Sequence, residues 1–263
     1  MDQATVIGLL LGLVAIFGSF LLEGGEMGAI IQLPALMIVL GGTIAAAMIG
    51  FSLKSVMQLP MLFKIALFPT KYDYNQTIET LVNFATIARR DGVLALEREL
   101  DKVKEFRFLH NGMLHMIDGI DADSVCKLMN EEKEYILERH SQNANLLSKM
   151  GGYSPTMGII GTVMGLIVTL AGAGEDPAEL VRHIAMAFIA TLWGVFMANI
   201  IWLPLADKLK FRSAEEALLL DLVTNGIIDI QNGISPTLIR RSLELLLPPS
   251  SRVALNAEES KAA

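Results

Sequence analysis

The sequence predicts an all-α integral membrane protein with four transmembrane helices, a helical cytoplasmic loop and a helical carboxy-terminal tail. Its 263 residues are 52% hydrophobic, and charged residues are absent from four long stretches. Each stretch reaches the roughly 20 apolar residues that cross about 30 Å of hydrocarbon as an α-helix. The four stretches are Gln3 to Leu22, Met27 to Leu53, Met150 to Gly174 and Ile184 to Ala206.

Lysine and arginine, which mark cytoplasmic segments, are concentrated in two parts of the chain. The first fifty residues contain none, residues 54–149 contain thirteen, and the tail from Lys208 contains seven, with Arg182 alone between the last two stretches. The positive-inside rule therefore predicts that both termini and the long loop are cytoplasmic. The charged residues all lie outside the four uncharged stretches, and the net charge of -7 gives no reason to expect a nucleic-acid partner. The single cysteine, Cys126, excludes an internal disulfide and fits a reducing compartment.

These boundaries divide the chain into four parts. The first uncharged stretch has no basic start and is followed directly by a second one, so we expect a retained helical hairpin rather than a signal peptide. The end of the chain, after Pro248 and Pro249, has the composition of a disordered tail. The parts are a transmembrane hairpin (1–53), a cytoplasmic helical region (54–149), a second transmembrane hairpin (150–206), and cytoplasmic carboxy-terminal helices with the disordered tail (207–263).

The cytoplasmic segments carry helix start and stop signals. Residues 54–68 place lysines among large apolar residues, which predicts a segment that lies on the inner membrane surface against the lipid headgroups. Asn75 is the predicted cap of a helix that ends near Gly92, and a second helix is predicted from Val93 to Lys104. Asp123 is the predicted cap of a long helix that continues into the third span.

Prolines indicate where the last two spans begin and bend. The third span is predicted to be broken or bent near Pro155, because a proline inside a helix lacks an N–H donor and clashes with the preceding turn. Asp176 and Pro177 have the residue types of a helix cap and a first helical position. The fourth span should therefore begin outside the hydrocarbon and continue to Lys208, with Pro204 near its cytoplasmic end.

Small residues follow one face of each of the last two spans, at spacings of three and four that keep them on one side of a helix. Helices associate in lipid through close backbone contact rather than through exclusion of water. We therefore expect these faces to receive a partner helix. The residues of this face are Gly158, Thr162, Gly165, Thr191, Gly194 and Ala198.

The spans offer hydroxyl groups but no ionisable group. Proton relays and ion-coupled pumps usually carry an ionisable side chain at membrane depth, so this chain must obtain a carboxylate from a partner if it conducts ions. The alternative for a membrane threonine is a hydrogen bond to its own helix backbone. The sequence contains no phosphate-binding glycine loop, paired cysteines or nucleophile motif, and its histidines are scattered. We therefore expect no enzymatic activity, no cofactor and no stable metal site.

Three stretches in the same order resemble the MotA and PomA family of flagellar motor stator subunits. They are SPTMGIIGTVMGLIVTL in the third span, IAMAFIATLWGVFMANIIWLPLADKLK in the fourth, and GIIDIQNGISPTLIRRSLELLLPPSSR in the tail. The resemblance implies an inner-membrane subunit with four long helices, five copies of which encircle a dimer of a single-span partner of the MotB or PomB type. That partner supplies the membrane aspartate and a cell-wall anchor, and the cytoplasmic loop meets the rotor protein FliG.

The resemblance also assigns roles to individual residues. Arg89, Arg90 and Glu97, within RRDGVLALE, match the family's rotor-contact charges. Without the resemblance these residues would be interpreted as solvated helix charges. Pro155 and Pro204 match two prolines that the family links to torque generation.

The resemblance implies that the small-residue face of the last two spans lines an ion pathway and that the transported ion is H⁺ or Na⁺. A hydroxyl at the position of Thr162 resembles the sodium-driven members, whereas many proton-driven ones have alanine there, and oxygen ligands suit a hard cation. The resemblance therefore favours sodium, with transient binding at Thr162. Two other functions remain open. One is an energiser of outer-membrane processes of the ExbB or TolQ kind, which typically has three spans, and the other is a self-contained membrane transporter or scaffold.

Overall fold

The computed structural model describes residues 2–68, 70, 72–171 and 177–247, and every regular element in that part of the chain is helical. Two helices contain an internal π-helical segment, Met37–Gly41 in α3 and Met197–Trp202 in α9. The elements are α1 (Gln3–Leu22), α2 (Met27–Ile30), α3 (Leu33–Gly50), α4 (Leu53–Met57), α5 (Leu59–Leu67), α6 (Tyr74–Asp91), a 3₁₀ segment (Val93–Val103), α7 (Arg107–Ile117), α8 (Ala122–Ala171), α9 (Pro177–Phe196 continuing through the π segment to Leu203–Gln231) and α10 (Pro236–Leu246).

Four of these helices, α1, α3, α8 and α9, are long and apolar enough to cross a membrane, which confirms the four predicted spans. Their bounds differ from the uncharged stretches. The second span begins at Leu33, because Ile31 and Gln32 have extended backbone conformations. The 50-residue helix α8 passes through Pro155 without a break, contrary to the break considered from sequence. The fourth span begins at Pro177 as predicted, but its helix continues beyond Lys208 to Gln231.

The helices form two compact units that do not follow the four sequence parts. The membrane unit comprises Met1–Thr70 and His140–Arg212, and the loop–tail unit comprises Lys71–Arg139 and Ser213–Ala263. The two predicted hairpins therefore belong to one unit, and most of the cytoplasmic loop packs with the tail. The predicted cap Asp176 and the predicted disordered tail after Leu247 lie outside the described residues.

Two short helices after the second span complete the core of the membrane unit. Val56 of α4 and Leu62 and Ala66 of α5 are buried, whereas Met57 and Met61 are exposed. The buried side chains share a cluster with residues of α8 and α9, so one face of the predicted surface segment is held by the protein. The prediction that the other face lies against lipid headgroups stays a prediction. The α8 and α9 residues in the cluster include Ala144, Leu147, Met150, Trp202, Leu205 and Leu209.

Asp2 fixes the start of α1 within the membrane unit. Its carboxylate accepts hydrogen bonds from Lys208 Nζ and from the backbone N–H and hydroxyl of Thr5, and one carboxylate oxygen lies 3.8 Å from the Arg212 guanidinium. Its own N–H donates to the carbonyl of Leu67 at 3.0 Å. The Lys208 hydrogen bond, helped by that of Thr5, lowers the pKa of Asp2 to about 2.

Two predicted caps in the loop–tail unit are wrong by two residues. Asp73, not Asn75, caps α6, where its carboxylate accepts from Gln76 N–H at 2.9 Å. Asp121, not Asp123, accepts from Ser124 N–H at 3.0 Å at the start of α8. In both cases the carboxylate that caps the helix lies next to the positive end of the helix dipole, where a negative charge is stabilised. The predicted helix from Val93 is a 3₁₀ segment that ends at Val103.

The core of the loop–tail unit is built by α6 against the carboxy-terminal half of α9. Ile78, Leu81 and Phe84 are almost fully buried there. Gly226 permits the close approach, since a Cβ at this position would lie 2.6 Å from Leu81 Cδ1. Arg240 of α10 forms a two-bond ion pair with Glu79 on the α6 surface. The packed core of this unit therefore holds α6 in place, including the exposed residues at its end.

Replacing Asp2 by Asn should lower the free energy of unfolding by about 1 kcal/mol at neutral pH, the scale of a solvent-accessible ion pair. The pKa of the Asp2 carboxyl in the folded protein, about 2, is below its ordinary value of 3.8, so its contribution to stability is present above pH 4 and is lost as the pH falls towards 2. Thermal unfolding of both proteins in detergent between pH 7 and pH 2 would measure this, with Asp101→Asn as a control on an exposed carboxylate. A difference between the proteins that persists unchanged at pH 2 would contradict the assignment.

Candidate ion-pathway site

Backbone contact between α8 and α9 forms the centre of the site. A Cβ added to Gly158 would lie 2.7 Å from the carbonyl oxygen of Ala190 and 3.2 Å from the Cα of Gly194. A Cβ added to Gly194 would lie 2.7 Å from the carbonyl oxygen of Ser154. Such distances leave no room for a side chain, so these glycines are required by the approach of the two helices.

The same contact continues along the third span. A Cβ on Gly165 would lie 2.9 Å from Ala187 Cβ, and one on Gly161 would lie 2.7 Å from Ala190 Cβ and 3.4 Å from a methyl group of Ile38. The small faces of the third and fourth spans are therefore packed against each other within one chain. Gly158, Gly165 and Gly194 therefore contact the other span of the same chain, and the expectation that a partner helix also lies against this face stays a prediction. Ala198 is buried as well, in the π segment of α9.

A serine that the sequence reasoning did not single out also joins the two helices. Ser154 is fully buried, and its hydroxyl donates to the carbonyl oxygen of Gly194 at 3.0 Å. Its position four residues before Gly158 continues the small-residue series by one turn. This four-residue spacing is the signal in the sequence that could have identified Ser154.

The hydroxyl groups of Thr162 and Thr191 meet across the helix contact. Their Oγ1 atoms lie 2.5 Å apart. Thr162 Oγ1 is also 3.1 Å from the carbonyl oxygens of Gly158 and of Ala187, and Thr191 Oγ1 is 3.4 Å from the Gly158 carbonyl. We call these two hydroxyls and two carbonyls the four-oxygen cluster. Each threonine has one hydroxyl proton, so only two of the four contacts can carry a proton at any moment.

This chemistry suits an ion only when a negative charge is added. Four neutral oxygens can accept a hard cation, and the paired hydroxyls can exchange hydrogen-bond direction. A cation stripped of water still needs a counter-charge, and the four uncharged stretches contain no carboxylate. The cluster is therefore an incomplete ion site within one chain. The alternative role of a membrane threonine, a hydrogen bond to its own helix backbone, is also observed. The Thr162 hydroxyl donates to the carbonyl of Gly158 in the same helix.

A cavity of about 330 Å³ lies between α3, α8 and α9. It is lined by Gly161 and Gly165 on the third span and by Ala187 and Ala190 on the fourth, with His183 towards the outer end of the fourth. Ala187 also accepts the Thr162 hydroxyl through its carbonyl. The cavity thus reaches the helix contact that holds the cluster.

The two candidate torque prolines lie at different places on this helix pair. Pro155 is next to Ser154 and is partly buried. Pro204 is exposed and follows the π segment Met197–Trp202 directly. Segments of this kind often occur at functional positions in helices. The prediction that both prolines serve torque generation stays a prediction.

The candidate rotor-contact residues lie on the surface of the loop–tail unit. Arg89 and Arg90 are in the last turn of α6, and Glu97 is in the 3₁₀ segment, and all three are exposed. The Arg90 guanidinium pairs with Asp91 at 2.7 Å, which raises the pKa of Arg90 and lowers that of the Asp91 carboxyl. An incoming acidic partner would therefore compete with Asp91 for Arg90.

The fold and the site together define a multi-span membrane protein whose last two spans form a charge-free, hydroxyl-bearing contact, as in a subunit of an ion-conducting complex. Residues 101–221 match the MotA/TolQ/ExbB proton channel family, and residues 6–92 match the motility protein A amino-terminal family. The chain belongs to the motility protein A branch of this channel family.

Relatives and solved structures match the chain over almost its whole length. It is 35% identical to motility protein A of Bacillus subtilis, over 100% of this chain and 96% of that one, and 31% identical to chemotaxis protein PomA of Vibrio alginolyticus, over 98% and 100%. The fold is similar to the flagellar MotAB stator complex of Bacillus subtilis (TM-score 0.89, 33% identity, 97% and 99% covered). It is equally similar to C. jejuni MotAB (TM-score 0.89, 30% identity, 95% and 97% covered).

Gly158→Ala should separate α8 from α9, because the new methyl group would lie against a backbone carbonyl that cannot turn away. We expect a loss of about 1–3 kcal/mol in stability, the usual cost of overpacking. Thermal unfolding in detergent would measure it. Gly152→Ala is the matched control, since it lies on the same helix with no atom within 4 Å of its Cβ position. Equal stability of the two variants would refute the close contact.

Proposed function

We propose that this chain is a flagellar motor stator subunit that forms an ion channel with a single-span partner of the MotB type. The observation that carries the proposal is the four-oxygen cluster in charge-free spans, within a chain that is similar from end to end to motility proteins. Four neutral oxygens that also hydrogen-bond one another offer a cation no counter-charge. A partner helix with one membrane aspartate would provide it, and several copies of this chain, five by family resemblance, would surround that partner.

The orientation and the location belong to the same proposal. The lysine and arginine distribution supports cytoplasmic termini and a cytoplasmic loop–tail unit, in a bacterial inner membrane. The exposed charges Arg89, Arg90 and Glu97 would then face the cytoplasm, where they would contact the charged surface of the rotor protein FliG. Ion passage past the partner would move the subunits, and these charges would pass the movement to the rotor.

Other functions are less well supported. An energiser of the ExbB or TolQ kind belongs to the same broad channel family, but the amino-terminal match at residues 6–92 is to motility proteins. A self-contained transporter would need an ionisable group of its own in the spans. A passive scaffold would not need a hydroxyl pair between its helices.

Co-expression with candidate single-span proteins of the same genome, followed by detergent purification and native mass determination, tests the proposal. We expect a stable complex that contains several copies of this chain and an aspartate-bearing partner, and that conducts ions in vesicles. A homo-oligomer that conducts ions without a second chain would overturn it.

The ion is proposed to be Na⁺, with H⁺ as the alternative. The four-oxygen cluster supports sodium through its hard ligands, whereas the description of the matched family as proton channels supports H⁺. Thr162→Val keeps the shape of the side chain but removes its oxygen. If sodium is the ion, this variant should lower sodium flux in vesicles about fivefold or more, the scale of one lost polar contact, and Thr162→Ser should retain it. Equal flux in sodium and in potassium at fixed pH, lost only when the proton gradient is removed, would identify H⁺ instead.

Arg90→Glu and Arg89→Glu should impair swimming without loss of membrane assembly, because both side chains are exposed and reverse their charge towards the rotor. A compensating charge reversal in FliG should restore part of the torque. Lys127→Glu is a matched control, an exposed cation on α8 whose side chain is 77% accessible. Normal torque in both arginine variants, measured with tethered cells, would show that the rotor contact lies elsewhere.

A further inference from the structure

A cleft of about 390 Å³ lies between α1 and the fourth span in the membrane unit. Gly8 and Leu9 line it on the α1 side, and Ile200, Pro204 and Leu205 line it on α9. No atom lies within 4 Å of the position of a Cβ on Gly8, so the α1 wall is open there. The volume falls in the range of pockets that hold organic ligands of moderate size.

One end of the cleft carries a cationic side chain. Lys208 lines it there, and its ammonium pairs with the carboxylate of Asp2. A lysine ammonium has three donors, and Asp2 takes one of those of Lys208. Lys208 therefore has donors left for a second anion.

This charged end lies where the hydrocarbon layer ends. Asp2 and Asp207 are the first charged residues beyond the uncharged stretches of α1 and of the fourth span. Long cationic side chains at such positions reach towards lipid headgroups. The apolar walls between Gly8 and Leu205 are on the hydrocarbon side of Lys208, so the cleft has the polarity of a lipid, with a charged group at one end and apolar surface along the rest.

We propose that the cleft binds an anionic phospholipid, with its phosphate on Lys208 and an acyl chain along Gly8 and Ile200. The two short helices α4 and α5 support an anionic lipid, because they carry Lys54 and Lys64 but no acidic residue. The end of α5 contacts Asp2 through the carbonyl of Leu67.

A transmembrane helix of a second copy fits the cleft less well. The uncharged stretches carry no anion that could meet Lys208 at its charged end. Asn199, which also lines the cleft, donates its amide N–H to the carbonyl of Val195 at 2.9 Å in its own helix. Its need for a polar partner from another chain is reduced accordingly.

The lipid would act on the part of the fourth span that follows the π segment. It would lie against Pro204 and Leu205 and next to the ion pair that joins α1 to α9. The site does not depend on the transported ion or on the rotor contact, so it goes beyond the stator function and can fail or succeed independently of it.

Native mass spectrometry of the purified full-length oligomer tests the proposal, with phosphatidylglycerol and phosphatidylcholine as probes. We expect phosphatidylglycerol to be retained and phosphatidylcholine to be lost. Lys208→Gln should weaken phosphatidylglycerol binding about fivefold, the effect of one cation near a lipid surface, and Lys208→Arg should bind as the wild type does. Gly8→Phe should fill the cleft and reduce the number of bound lipids.

Two control variants separate the cleft from the rest of the surface. Lys210→Gln removes an exposed cation that pairs with Asp207, and Gly41→Phe adds a ring at another open glycine on α3. Both should retain phosphatidylglycerol. Equal retention of the two lipids, or wild-type binding by Gly8→Phe and Lys208→Gln, would overturn the proposal. A change of copy number in Gly8→Phe with lipid still bound would assign the cleft to a second copy and overturn it as well.

Discussion

The contact between the backbones of α8 and α9 is the constraint on which the rest of the membrane unit depends. In lipid there is no hydrophobic force that pushes two apolar helices together, so they must gain energy from close packing and from hydrogen bonds. Gly158 and Gly194 bring the two backbones together, and the buried Ser154 hydroxyl bonds the Gly194 carbonyl across the contact. A larger side chain at either glycine would remove both the packing and the bond.

The same close approach creates the four-oxygen cluster. In an isolated membrane helix, a threonine hydroxyl hydrogen-bonds its own helix backbone and contacts no other polar group. Here Thr162 can also reach Ala187 and Thr191, because the helices are near enough for hydroxyls and carbonyls of both to meet. The packing that stabilises the pair therefore also concentrates oxygen ligands at one depth. Since none of them carries a charge, the ion chemistry depends on a second protein.

The loop–tail unit meets a different requirement, that of holding charges on a fixed surface in water. Phe84 and Leu81 bury the inner face of α6 against the tail, which leaves Arg89 and Arg90 exposed at the end of that helix. Exposed ion pairs contribute little to stability, so the fold does not depend on the pair of Arg90 with Asp91. The core fixes their position, and water screens their mutual interactions.

The sequence by itself determined the four spans, the small-residue faces and the separation of charge from hydrocarbon. These follow from composition and from spacings of three and four, which do not require knowledge of any contact. It also marked Thr162 and Thr191 as the hydroxyls of the site. The caps at Asp73 and Asp121 were missed, because several polar residues near each start could serve and only local geometry selects one.

Only the tertiary structure decided which surfaces meet. A stripe of small residues predicts that some helix approaches but not which one. In the structure, Gly158 and Gly165 of the third span contact the fourth span of the same chain. It also grouped the two hairpins into one unit, since pairing between distant segments is not encoded in local periodicity. The cleft beside Lys208 could not be predicted for the same reason. It is lined by residues as far apart in the sequence as Gly8 and Lys208, and no local pattern shows that they lie close together.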